Sequence, residues 1–224
     1  MKISLAFDVY GTLIDTQNIS TKLKTMVGPK ADNFSELWRN KQLEYSFRRG
    51  LMKQYASFAV CTAQALDYCC LHYNILLSEN QKRVLLDAYA VLPVFDDVVD
   101  SLKVLSDKGV RLYAFSNGSK KAVNLLLENA RIQKYFLDVV SVEDVASFKP
   151  SPEVYQHLVS KTSSSKSSLY LVSSNPFDVI GALSFGIKAA WLKRSKNTVF
   201  DPWGVEPTIT IRSLSELLTH IEGI

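Results

Sequence analysis

The chain is poor in residues that bind metals or form cross-links: three histidines and three cysteines in 224 residues. Cys61, Cys69 and Cys70 fall in one stretch of helical periodicity. At about 1.5 Å of rise per residue, Cys61 and Cys69 stand roughly 12 Å apart, beyond the reach of a disulfide. Cys69 and Cys70, being adjacent, point different ways. All three read as buried small thiols. Without a histidine cluster, no zinc site is expected. A long basic run is also missing. The 26 basic and 22 acidic residues leave a net charge of +4, which suits a small anionic partner better than a nucleic acid. No segment is apolar for the length of a membrane span, and Met1 to Phe7 is too short for a signal peptide's apolar region. A cytoplasmic protein with no membrane partner is expected. Internal repeats are absent.

What is present is ordinary globular composition, 47% hydrophobic and 21% charged, in a length suited to one α/β domain with or without an insert. Ile3 to Phe7 reads as a buried strand. From Thr16 to about Ala90, apolar residues recur at helical spacing, broken near Gly28-Pro29, Gly50 and Asn74 to Ser78. That predicts four or so helices, ended by Pro93. Strands and helices then alternate. Strands are expected at Val110–Phe115, within Phe136–Val142, and at Leu169–Val172, Ile187–Trp191 and Thr208–Ile211. Helices are expected at Asp96–Ser106, Ser119–Ala130, Pro152–Ser160, Pro176–Phe185 and Ser213–Ile221. Thr162 to Ser168, rich in serine, reads as a solvated connection. This alternation implies an α/β fold with a doubly wound parallel sheet. The helical block interrupts it after the first strand, giving a core of residues 1–13 and 93–224 and a helical cap of residues 14–92. A cap so placed can cover the carboxyl ends of the strands.

Four polar clusters follow strands: Asp8 with Thr12, Ser116-Asn117-Gly118, Lys149-Pro150, and Ser173-Ser174-Asn175 with Asp178. A parallel sheet gathers them at one edge. Each also has a plain structural reading. Asp8 can cap a turn, Ser116-Asn117-Gly118 can be a turn, and Lys149-Pro150 can be a loop. Arg39 can be a solvated helix residue, and Tyr155 and Phe58 can be core aromatics. The Tyr45, Phe47, Leu51 and Tyr55 stripe reads as core or dimer surface. The four clusters in register are what favour a site.

Their order resembles the haloacid dehalogenase superfamily, and within it the L-2-haloacid dehalogenases. The matching segments are Phe7-Asp-Val-Tyr-Gly-Thr-Leu13, Leu37-Trp-Arg-Asn-Lys-Gln-Leu-Glu-Tyr45, Phe115-Ser-Asn-Gly-Ser119, Phe148-Lys-Pro150 with Tyr155, and Val172-Ser-Ser-Asn-Pro-Phe-Asp178. Phosphatases of the superfamily place a second Asp two residues after the nucleophile, to protonate a leaving alkoxide. They also carry a further acid in the last motif, to hold magnesium. Here those positions are Tyr10 and Ser174. A halide leaves without a proton, and magnesium favours several hard oxygens, so the resemblance implies carbon–halogen cleavage with no metal and no cofactor.

It further implies that Asp8 displaces halide from C2 of a short 2-haloacid with inversion, and that water then hydrolyses the ester. Arg39 and Asn117 receive the halide, with Phe177 forming part of the apolar wall; related enzymes usually carry Trp at the Phe177 position. Ser116 holds the substrate carboxylate. Thr12 and Ser173 bond around Asp8. Asp178, held by Lys149 and Asn175, attends the hydrolytic water, and Tyr155 supports Lys149. Tyr10, Gln42 and Phe58 wall the alkyl group, with Lys149 also in reach of the substrate. A homodimer is expected. The alternatives are a magnesium-dependent small-molecule phosphatase and a catalytically silent binding protein.

Overall fold

A computed structural model describes residues 3–221. Six parallel strands form one sheet: β1 Ser4–Asp8, β2 Arg111–Ser116, β3 Asp138–Ser141, β4 Leu169–Ser173, β5 Lys188–Leu192 and β6 Ile209–Ile211. Their spatial order is β3-β2-β1-β4-β5-β6. β1 is therefore central, and all five of its residues are buried. Burial on both faces explains why its sequence is a continuous apolar run rather than an alternating one. Leu5 and Phe7 face one hydrophobic core and Ala6 the other; Tyr170 and Val172 of β4 likewise oppose Leu169 and Leu171. The strand order reverses direction between β1 and β4, and ligand sites of open α/β sheets form at such a switch point, beyond the carboxyl ends of the strands. Asp8 and Ser173 stand at those two ends.

Four α-helices follow β1 before Pro93 and make up the insert: α1 Ile19–Val27, α2 Ala31–Leu51, α3 Phe58–Tyr73 and α4 Glu79–Ala88. The chain breaks expected near Gly28, Gly50 and Asn74 separate them. Ser57 caps α3 by accepting from Val60 N–H, and Asn74 ends it in the left-handed region at φ 53°. Ser78 and Gln81 form a reciprocal capping box on α4. Trp38, buried in α2, donates its indole N–H to Thr62 O of α3 at 2.9 Å, which fixes the two longest helices against each other. Trp38→Ala would cost about 3–5 kcal/mol. The three cysteines are buried and unpaired, as expected for packed thiols.

The remaining helices are α5 Val98–Asp107, α6 Lys120–Asn129, α7 Pro152–Thr162, α8 Pro176–Phe185 and α9 Leu217–Ile221. The segment expected to be one helix from Ser213 is a 3-10 turn, Leu214–Glu216, leading into short α9. The serine-rich connection is not simply solvated. Ser164 and Ser168 are buried, and Ser164 Oγ donates to Ser4 Oγ at 2.9 Å. A buried hydroxyl on the central strand requires a partner, and the loop supplies it.

The segments joining the insert to the sheet pair with each other. Asp15 N–H donates to Pro93 O at 2.8 Å and Phe95 N–H to Leu13 O at 3.1 Å, with an antiparallel bridge between Ile14 and Val94.

Candidate active site

Asp8 ends β1 at 8% exposure. The turn after it passes through Gly11 at φ 85°, a conformation that favours glycine, and returns Thr12 beneath the carboxylate. Asp8 Oδ2 accepts from Thr12 Oγ1 at 2.8 Å, Asn175 Nδ2 at 2.7 Å and Ser173 Oγ at 3.3 Å. Among the described residues Oδ1 accepts only from Lys149 Nζ, at 3.1 Å. The two oxygens are thus unequal. Three donors fill one, and one donor leaves a lone pair on the other.

Lys149 is 1% exposed. Its ammonium donates to Asp8, to Phe115 O at 2.9 Å and to Asp178 Oδ2 at 2.7 Å. Asp178 is fully buried in the first turn of α8. Burial pushes its carboxyl up to about 6; Lys149 works against that rise and the charge of Asp8 adds to it. Tyr155 Oη donates to Asp178 Oδ1 at 2.8 Å. Tyr155 can come so close because residue 181 of α8 is glycine: a Cβ there would fall on Tyr155 Oη.

Two expected contacts are corrected by this geometry. Asn175 was expected to hold Asp178, but its side chain reaches Asp8; only the backbone links the pair, with Asp178 N–H donating to Asn175 O at 3.1 Å. Tyr155 was expected to support Lys149, but it bonds Asp178 and acts on Lys149 through that carboxylate. The cause is the turn at Pro176, the first residue of α8, which aims Asn175 and Asp178 in different directions.

Asn117 and Ser116 join from the end of β2. Asn117 Oδ1 accepts from Lys149 N–H at 3.0 Å, and among the described residues its Nδ2 has no partner. Ser116 Oγ accepts from Gly118 N–H at 3.0 Å. Ser174, where a metal-binding acid was considered, instead donates to Gly11 O at 2.7 Å and pins the turn after Asp8. No cluster of three or more His, Cys, Asp or Glu suited to a metal occurs among the described residues.

The expected residues of the insert border three cavities, and Asp8 lines none of these three. Arg39 of α2 has no hydrogen bond or ion pair among the described residues. It borders a cavity of about 490 Å³ with Tyr89, which follows α4. Tyr10, Phe58 and Gly118 border a second, of about 290 Å³, which Tyr89 also lines. Burial lifts the Tyr10 phenol to about 12, with Tyr89 adding to the rise and Arg39 opposing it. Gln42 is not an open pocket wall. It is fully buried, and its Nε2 donates to Tyr89 Oη at 2.7 Å. Phe58 rests on Phe148, ring centroids 6.4 Å apart. Phe177, in the first turn of α8, meets Phe47 of α2 edge-on at 5.1 Å. With Lys149 and Leu51, these two border a third cavity, of about 540 Å³. The stripe expected as core or dimer surface therefore divides: Phe47 covers Phe177, and Leu51 is 87% exposed. Tyr89 was not among the expected site residues. It sits on a short 3-10 turn with no periodic or motif signal, and only its bond to Gln42 and its place beside Tyr10 reveal it.

A six-stranded parallel sheet bearing a buried carboxylate between a lysine and three neutral donors, at the switch point of the strand order, is the site of a hydrolase-class Rossmann-like fold with a carboxylate available for attack chemistry. The chain belongs to the haloacid dehalogenase-like hydrolase family, whose model matches residues 4–186. It is 35% identical over 211 residues to an (S)-2-haloacid dehalogenase of Pseudomonas fluorescens, covering 94% of this chain and 92% of that one. It is 35% identical over 221 residues to haloacetate dehalogenase H-2 of Moraxella sp. (strain B), covering 99% and 98%. Its fold superposes with a TM-score of 0.91, at 27% identity and full coverage of both chains, on the L-2-haloacid dehalogenase of Xanthobacter autotrophicus with chloropropionic acid covalently bound.

Proposed function

We propose that this chain hydrolyses short (S)-2-haloacids to (R)-2-hydroxyacids through an ester on Asp8, with residues 14–92 capping a core of residues 1–13 and 93–224. The observation that carries this reading is the unequal dressing of the Asp8 carboxylate by the protein's own donors. Oδ1, with its free lone pair, attacks C2 opposite the carbon–halogen bond. The Oδ1–C2 bond forms as the halide departs with the bonding pair, and C2 inverts. Oδ2 becomes the ester carbonyl oxygen. Thr12, Ser173 and Asn175 already point at it, so they receive the negative charge that develops when water attacks the Asp8 carbonyl carbon. Asp178, whose raised pKa brings it toward neutrality, takes the proton of that water and returns it to the leaving hydroxyacid oxygen. Asp8 regains its carboxyl group with one oxygen from water, and the second proton of that water leaves it to solvent, so each turnover releases one halide and one proton.

Arg39 and Asn117 Nδ2, both without a partner among the described residues, are suited to the departing halide, and Phe177 forms the apolar side of its cradle. The Ser116 hydroxyl is suited to the substrate carboxylate. Tyr10, Phe58 and Tyr89 border the space for the alkyl group, and Gln42 holds Tyr89 in place from behind. Magnesium does not fit this donor set. An ammonium stands between the two carboxylates, within 3.1 Å of one and 2.7 Å of the other, and the Ser174 hydroxyl is turned to Gly11 O. The phosphatase alternative therefore lacks both its metal cradle and its proton donor. The mild positive charge suits an anionic substrate, and exposed Leu51 and Leu71 on the insert favour a homodimer. No helix of the described residues is long and apolar enough to cross a membrane.

The test is chloride release from (S)-2-chloropropanoate in the presence of EDTA. Release is expected, with (R)-lactate as product, and Asp8→Asn should lower it to background. Turnover of p-nitrophenyl phosphate that requires magnesium, with no halide release, would replace this reading by the phosphatase one.

A further inference from the structure

Arg194 follows β5 and belongs to no cluster considered so far. It is largely buried, its side chain 15% exposed, and all its bonds converge on the two segments that join the insert to the sheet. Nη2 and Nε donate to Thr12 O at 2.6 and 3.2 Å. Nη1 donates to Asp97 Oδ1 at 2.7 Å. The guanidinium also lies 4.1 Å from the centre of the Phe95 ring. Thr12 opens the first joining segment, and Phe95 and Asp97 close the second. Asp97 is itself fixed to the core, because its Oδ2 accepts from Leu214 N–H at 2.8 Å and Ser213 Oγ at 3.2 Å. One rigid planar fork thus grips both connections at once, which an ammonium cannot do with the same geometry.

Thr12 is consequently held at both ends. Its hydroxyl bonds Asp8 and its carbonyl bonds Arg194. We propose that Arg194 is a positioning residue for the displacement step, setting where the insert's Arg39 stands relative to Asp8 by fixing Thr12 and both joining segments. This rests on the reading of Asp8 and Arg39 given above. An in-line displacement needs the nucleophile and the halide cradle aligned, and misplacement by about 1 Å can cost on the order of 10²-fold. The nucleophile rides on the sheet and the cradle on the insert, so the junction between them controls that alignment.

The test compares wild type with Arg194→Met and Arg194→Lys, at a temperature where circular dichroism shows each folded. Two measurements are made: steady-state halide release, and amide hydrogen exchange at Asp15 and Phe95. Arg194→Met is expected to lower kcat at least tenfold with KM changed less than threefold, and Arg194→Lys to recover part of that. Exchange at Asp15 and Phe95 should rise in Arg194→Met while exchange in β1 and β4 stays unchanged. Wild-type kcat in a folded Arg194→Met overturns the proposal, as does unchanged exchange at both amides. Should Arg194→Met not fold, Arg194→Lys carries both readouts under the same criteria. If wild type released no halide, the functional reading would fall, and the exchange result would still decide whether Arg194 anchors the junction.

Discussion

On the core side of the site both Asp8 oxygens have donors, and Lys149, Asp178 and Tyr155 form a closed chain of bonds. On the insert side the Arg39 guanidinium has no partner among the described residues, and Gln42 Oε1 is buried with none. The two walls meet different demands. Covalent chemistry on a carboxylate needs donors fixed before charge develops, so that no reorganisation occurs during the step. A cradle for a leaving anion needs donors that nothing else occupies. The core wall holds the donors around Asp8 by mutual bonding; on the insert wall the Arg39 guanidinium is left without a protein partner among the described residues.

The strongest way to break this contrast is to open the core wall. Lys149→Met leaves the buried carboxylates of Asp8 and Asp178 facing each other without their shared cation. Removing one partner of a buried pair typically costs about 3–5 kcal/mol. Denaturant unfolding should show a loss of that size, and halide release should fall to background. A stable, active Lys149→Met would mean that the closed chain of bonds is incidental.

The same change on the insert wall should behave oppositely. Arg39→Gln removes a cation with no protein partner, so stability should stay within about 0.5 kcal/mol of wild type. Activity should drop, because a donor aimed at developing charge contributes about 10²–10³-fold. The fall should be larger for chloride than for bromide as leaving group, since the stronger base depends more on donated hydrogen bonds. Parallel losses in stability and activity would show Arg39 to be a structural residue.

The sequence carried the core wall better than the insert wall, and for a physical reason. Asp8, Ser116 and Ser173 each end a buried apolar run, so strand length alone puts their Cα atoms at one sheet edge. What no local pattern conveys is direction. Asn175 and Asp178 are three residues apart on one turn, and only the entry angle of α8 decides which of them faces Asp8. Tyr155 depends on Gly181, a residue with no evident role until the approach of α7 to α8 is seen. Tyr89 and Arg194 are less legible still. Their partners lie 47 and 182 residues away in the chain, so each is visible only after folding. Ser164, read as solvated from its serine-rich setting, is buried because Ser4 on β1 requires a partner.

The mildest test leaves both walls intact and titrates the group behind the core wall. Burial raises the folded-state pKa of Asp178 from 3.8 to about 6. The folded protein therefore binds this proton more tightly than the unfolded chain does. Between about pH 4 and 6 the group's contribution to stability falls as pH rises, because the folded state must then hold a buried anion. Its effect on activity has the opposite sign. Protonated Asp178 neither balances Lys149 nor accepts the proton of water, so kcat should climb roughly tenfold per pH unit below 6 and level off above. A purely structural carboxylate would give no such rise, since stability moves the other way in that window. Measuring kcat for halide release from pH 4.5 to 8, with the folded fraction followed in parallel, separates the two. A flat profile across pH 6 would remove Asp178 from the hydrolytic step and leave it only the task of holding Lys149.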